Sequence, residues 1–246
     1  MNISVQQQPS AISVYSVDTL TGVETPEFEI RYFNNRSTRQ FDSIRVAGTS
    51  YTFDYSQLTS NHKILLNYVN ASLPYSEINL DSNQYTLTSF NEINPSPGTN
   101  VTNLFQYNEL HRITNYSYSA TPSDGNFSRT YTYSIDTCIA RTQRPFDACD
   151  TRDTIYNSIY DMSSSLPWLL LTDVNSSCGG IGMNILKAVP VSGYPNKLPS
   201  RIRNGSIQIS FAYTGDSNYR LALADAVQLS TSTGATIAHW KIHIAY

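Results

Sequence analysis

Apolar and polar residues alternate to the last position of this chain: Trp240, Ile242, Ile244 and Tyr246 interleave with His239, Lys241 and His243. Successive side chains of a strand point to opposite faces, so a period of two writes a strand with one buried and one wet face. The same writing recurs throughout. Ile12 and Val14 alternate with Ser13 and Tyr15, and Phe28, Ile30 and Tyr32 with Glu27, Glu29 and Arg31. Ile44 and Val46 precede Tyr51, Phe53 and Tyr55 across the turn-like Ala47-Gly48-Thr49. Gly, Asn or Asp punctuates the pattern about every ten residues, the spacing of sandwiches and jelly rolls. The expected fold is therefore all-β, an antiparallel β-sandwich of jelly-roll type.

One domain is expected over 1–246. Residues 91–98, with two prolines and a glycine, are the best linker candidate and are read as a long loop between two halves of one sandwich. One short inserted helix is predicted, capped by Asp150 or Thr151, with Asp153 in its first turn and Ile155, Ile159 and Met162 on one face. Residues 168–174 read as a buried strand, and Gly179-Gly180-Ile181-Gly182 as a turn before a strand over 183–189. Asn204-Gly205 predicts a two-residue hairpin turn with positive φ at both positions. The strands after it form a meander that ends with Trp240, Ile242, Ile244 and Tyr246, the strand expected to complete the core and to be central to assembly.

Charged residues make up 14% of the chain, against roughly 25% for an ordinary soluble domain. Ser, Thr, Asn and 18 tyrosines take their place. Tyrosine carries an apolar ring with a polar tip, which suits interfaces, although its β-propensity accounts for part of the excess. A net charge of −3 and a pI near 5.8, with no basic arm, argue against a nucleic-acid binder. The densest basic stretch, Lys197, Arg201 and Arg203, is bracketed by Pro195 and Pro199 and reads as a solvated loop. With neither a basic nor an apolar region in the first residues no signal peptide is expected, and no apolar run reaches the length of a membrane span. Cys138, Cys149 and Cys178 match no zinc or redox spacing and read as free thiols made in a reducing compartment. Eight Asn-x-Ser/Thr sequons, at Asn2, Asn35, Asn70, Asn100, Asn115, Asn126, Asn175 and Asn204, are expected by chance in so Asn- and Ser-rich a chain.

No constellation reads as catalytic. His239 and His243 share a strand face but stand about 13 Å apart, too far for one metal ion. His62 and His111 stand alone. Asp147, Asp150 and Asp153 lack the Gly and bidentate Glu of a calcium loop, and helix capping accounts for the last two. Gly179-Gly180-Ile181-Gly182 lacks the rest of any nucleotide fingerprint. No cofactor, metal site or enzymatic activity is expected.

In its texture, low in charge, rich in Tyr, Ser, Thr and Asn, and without a basic arm, the chain resembles viral jelly-roll structural proteins of capsids, vertices and outer shells. That resemblance implies a virion protein made in the cytosol, self-assembling with copies of itself and sister subunits, with its tyrosines and termini in the contacts and no contact with the genome. A lectin-like module that binds host glycan and an occlusion-body matrix protein are the alternatives.

Overall fold

The computed structural model describes residues 9–35, 40–69, 74–82, 86–93, 100–110, 112–120, 126–145, 149–157, 198–218 and 220–246. Sixteen strands succeed one another: β1 Ala11–Val17, β2 Glu24–Asn35, β3 Gln40–Val46, β4 Thr49–Asp54, β5 Lys63–Tyr68, β6 Pro74–Leu80, β7 Leu87–Ile93 and β8 Asn100–Tyr107. They continue as β9 Ile113–Ala120, β10 Phe127–Tyr133, β11 Thr137–Arg144, β12 Cys149–Asn157, β13 Pro199–Asn204, β14 Ile207–Gly215, β15 Leu221–Ser230 and β16 Thr236–Ala245. Each strand pairs with its predecessor, and β16 pairs antiparallel with β1, Ile12 facing Ile244 and Val14 facing Ile242. The result is a closed barrel without a sheet edge.

This corrects the expected jelly-roll sandwich. Individual strands have the alternation foreseen, but their pairing is up-and-down and circular rather than split between two open sheets. The short helix predicted from Asp150 is also corrected. Residues Cys149–Asn157 form strand β12, in which Asp153 and Ile155 are buried while Asp150 and Arg152 are exposed. The β-branched Thr151, Thr154 and Ile155 suit that strand, and its period of two was disguised by an inward aspartate. The described helix is a single turn, α1 Leu58–Asn61, closed by His62 in the left-handed region. Of the linker candidate 91–98, residues 91–93 belong to β7, which pairs with β8, and 94–98 lie outside the described residues. The expected elements over 168–174, 179–182 and 183–189 lie outside the described residues.

The wall has a definite polarity. Every one of the sixteen strands sends at least one residue into a continuous buried cluster that includes Ile12, Ile30, Ile44, Leu66, Phe90, Phe105, Ile155, Ile209 and Ile242. In a closed barrel the buried row is the inward row. Many outward positions are polar or charged: Glu27, Arg31 and Arg45 on β2 and β3, Thr130 and Thr132 on β10, Arg141 on β11, Arg152 on β12 and Arg203 on β13 are all exposed, while Leu104 on β8 and Ile237 on β16 are apolar side chains on the same wall. Ile242 and Ile244 belong to the core, Trp240 and Tyr246 pack against it, and His239, Lys241 and His243 point outward. A round barrel of this strand number encloses more space than one layer of side chains fills. Among the described residues the inward positions are buried or half-buried.

Hairpin turns follow their sequences. Val46 pairs with Thr49, leaving Ala47 and Gly48 as a two-residue loop with φ of 46° and 88°, the combination of the turn that suits strand twist. At the Asn204-Gly205 signal the outcome differs. Asn204 pairs with Ile207, so the loop is Gly205-Ser206; Gly205 has φ of 47° while Asn204 stays in the strand with an ordinary φ.

Five tyrosines recur in one structural role. Tyr55, Tyr107, Tyr133, Tyr213 and Tyr246 sit at or just past the ends of β4, β8, β10, β14 and β16. Their hydroxyls donate to the carbonyls of Phe41 (3.0 Å), Leu87 (2.7 Å), Ile113 (2.8 Å), Pro199 (2.5 Å) and Leu221 (3.2 Å) respectively. Each bond ties together the open end of a hairpin whose turn lies at the opposite rim. Arg112 and Arg220 cover two of these rings, with the guanidinium carbon 5.4 Å from the centre of the Tyr133 ring and 4.1 Å from that of Tyr246. These five hydroxyls serve the barrel's own rim.

Burial pushes the hydroxyls of Tyr107, Tyr133 and Tyr213 well above the ordinary phenol range and that of Tyr55 up to about 12. The unfolded chain ionises these groups near pH 10, whereas the folded chain holds them neutral. Their contribution to stability is thus complete below about pH 10 and is lost as pH rises through the folded values. Thermal unfolding followed from pH 8 to 12 should show a fall in Tm that begins near pH 10. Replacing Tyr133 and Tyr213 by Phe should flatten that fall, at a cost of about 1 kcal/mol per lost hydrogen bond at neutral pH.

Candidate functional site

Within the apolar interior runs a short line of polar side chains. Arg129 on β10 and Asp153 on β12 form an ion pair with Nη2 and Oδ2 2.6 Å apart, their side chains 2% and 5% exposed. Between them on β11 lies Thr142, the cross-strand partner of Arg129 and fully buried. Asn204 at the end of β13 donates to the other carboxylate oxygen of Asp153 at 2.6 Å, and the Arg129 guanidinium carbon lies 5.7 Å from the centre of the Tyr131 ring. One strand further round, Tyr116 donates to Oδ1 of Asn103 at 2.7 Å, and Asn103 donates to the Phe90 carbonyl at 3.1 Å.

The buried ion pair and the Asn204 bond attach β10, β12 and β13 to one another. Their members must face each other, so they penalise any one-residue slip of β10, β12 or β13, which would turn a partner outward. Breaking the ion pair leaves an uncompensated buried charge, which costs about 3–5 kcal/mol, whereas replacing both partners by apolar residues is often neutral. Asp153→Ala should therefore lower the stability measured by denaturant unfolding by about 3–5 kcal/mol, and the double variant Arg129→Met, Asp153→Leu should recover most of it.

Charge on the outer wall includes the closing seam and the face of β11–β13. At the closing seam, Oε1 of Glu24 accepts from Lys241 at 2.7 Å and Oε2 lies 3.2 Å from Nε2 of His243, whose ring stands edge-on to Tyr15. His239 bonds Asp225 at 2.7 Å. The two histidines thus serve separate carboxylates, and no group of three metal-ligating side chains occurs among the described residues. The hydrogen bond from Lys241 holds the Glu24 carboxyl below its ordinary range. On β11–β13 the outward residues include Arg141, Arg152, Arg201 and Arg203. Asp150 pairs with Arg141, which lowers the carboxyl's pKa.

Several sequence expectations change here. Arg201 and Arg203 belong to a strand, not to a solvated loop. Asp150 and Asp153 cap no helix: one faces out to Arg141 and the other in to Arg129. Cys138 is free and buried, which pushes its thiol up to about 12. Cys149 is disulfide-bonded, so the expected set of free thiols and the reducing compartment it implied do not hold. The Arg129–Asp153 pair escaped the sequence because its members lie 24 residues apart; the visible trace was an inward-parity arginine next to Phe127 and Tyr131.

No sequence-family model matches this chain, and no curated protein is similar to it in sequence. Solved structures are similar in shape. A porin-like protein from Bacteroides uniformis superposes with a TM-score of 0.69 at 14% identity, covering 96% of this chain and 97% of that one. Another porin-like protein, from Bacteroides vulgatus, gives a TM-score of 0.54 at 10% identity over 97% and 99% of the two chains. At such identities the likeness establishes the fold, a porin-like barrel. It overturns the reading of the chain as a capsid, vertex or outer-shell subunit located in a virion. The lectin and occlusion-body alternatives rested on the same fold and composition and fall with it. Among the described residues, no helix is long and apolar enough to cross a membrane, a fact silent about strands.

Proposed function

We propose that this chain is a non-enzymatic, porin-like barrel whose wall faces water and whose interior conducts no solute, so that it works through its outer wall and rims. The observation that carries this reading is the polarity of the strands. A barrel that spans a bilayer turns an apolar band outward to lipid and keeps a polar lumen. Here Glu27, Arg31, Arg141, Arg152 and Arg203 point outward while Ile12, Ile30, Leu66, Phe90 and Ile155 point inward. A charged residue at mid-bilayer on the lipid side costs about 2–4 kcal/mol, and this wall carries many. The bonded Cys149 supports residence in an oxidising compartment.

A second reading, a solute pore in an outer membrane, draws on the porin-like description of the two neighbours. Planar-bilayer recording separates the two. Purified protein added at micromolar concentration to a lipid bilayer should give no conductance steps, and it should remain monodisperse without detergent. Reproducible steps that scale with protein concentration would establish the pore instead.

A further inference from the structure

We infer that the outer face of β11–β13 is a docking surface for an extended acidic segment of another protein. Four arginines lie on this face in cross-strand proximity. Arg141 stands directly opposite Arg152, and Arg203 pairs with Thr154, two residues from Arg152 on the same face. Arg201 follows one repeat along β13. Like charges placed opposite each other destabilise a sheet, and Asp150 is the one carboxylate among the outward residues of these three strands. It is already engaged by Arg141. Arg152 and Arg203 are exposed and have no carboxylate partner among the described residues. The Arg201 guanidinium carbon lies 4.1 Å from the centre of the Tyr156 ring, which holds it in place, and its Nε has no hydrogen-bond partner.

Arginine without lysine is the composition for binding carboxylates by paired, planar hydrogen bonds. The spacing selects the occupant. Residues i and i+2 of one strand, such as Arg201 and Arg203, stand about 6.5–7 Å apart, which is also the repeat of alternate side chains along an extended peptide. A segment with Asp or Glu at every second position matches this ladder carboxylate for guanidinium. Because the barrel is closed, a peptide has no strand edge to extend, and side-chain contacts must carry the affinity.

Fluorescence polarisation of a labelled twelve-residue peptide of alternating Glu and Ser, measured against full-length protein at low salt, tests the inference. Binding should be saturable, weaken with added salt, and exceed that of a peptide of equal composition with its glutamates in one block. The double variant Arg152→Ser, Arg203→Ser should lose at least about tenfold in affinity with an unchanged thermal melt, since both side chains are exposed. Arg203→Lys, which keeps charge but loses the fork, should lose part of it. Equal binding by the double variant, or no preference for the alternating peptide, would overturn the inference. So would failure of both peptides to bind while heparin or phosphatidylserine vesicles bind through the same arginines.

Discussion

Closure of the sheet is the constraint on which everything else depends. The ladder from Ala11↔Ala245 to Ser16↔Trp240 joins the two ends of the described chain and satisfies the last open row of backbone groups. An open sixteen-strand sheet would have two edges ready to pair with other chains; here there are none. Closure also makes inside and outside distinct over the whole wall, so that a period of two in sequence becomes a division between an inward and an outward row. The Glu24 bonds to Lys241 and His243 fasten the same seam from outside, with Ile12, Val14, Ile242 and Ile244 beneath it.

Much of the local structure was legible because strands announce themselves by alternation. The final strand, the Glu27–Tyr32 pattern and the run from Ile207 to Tyr213 all face as their sequences say. What alternation does not encode is which strand pairs with which. A jelly roll and an up-and-down barrel need the same half-polar strands, and the pairing of β1 with β16 joins residues more than two hundred positions apart. The misreading of β12 has a specific cause. Asp153 sits where the inward row expects an apolar residue, so Ile155 appeared to belong to a helical spacing with Ile159 and Met162. The inward Asp153 thus hid the alternation of β12, whereas β10, which carries Arg129, kept its alternating Tyr131 and Tyr133.

The tyrosine content has a similar explanation. Read from composition, 18 tyrosines suggest contacts with other molecules. Five of them supply hydroxyls that bond backbone carbonyls at one rim. Phenylalanine would fill the same space without that bond, and serine would form the bond without filling the space. The likeness to porin-like proteins therefore describes the path of the backbone.

Thiol accessibility along β10 tests the distribution of polarity between the inward and outward rows most directly. Single cysteines would be placed at Ser128, Thr130 and Thr132 and, in separate variants, at Phe127 and Tyr131, with the native Cys138 changed to Ala. Labelling with a charged, water-soluble maleimide should be fast at 128, 130 and 132 and slow at 127 and 131, with or without lipid vesicles present. Fast labelling at 127 and 131, together with protection of 130 and 132 by vesicles, would mean that the lumen is wet and the wall faces lipid, and would contradict the account.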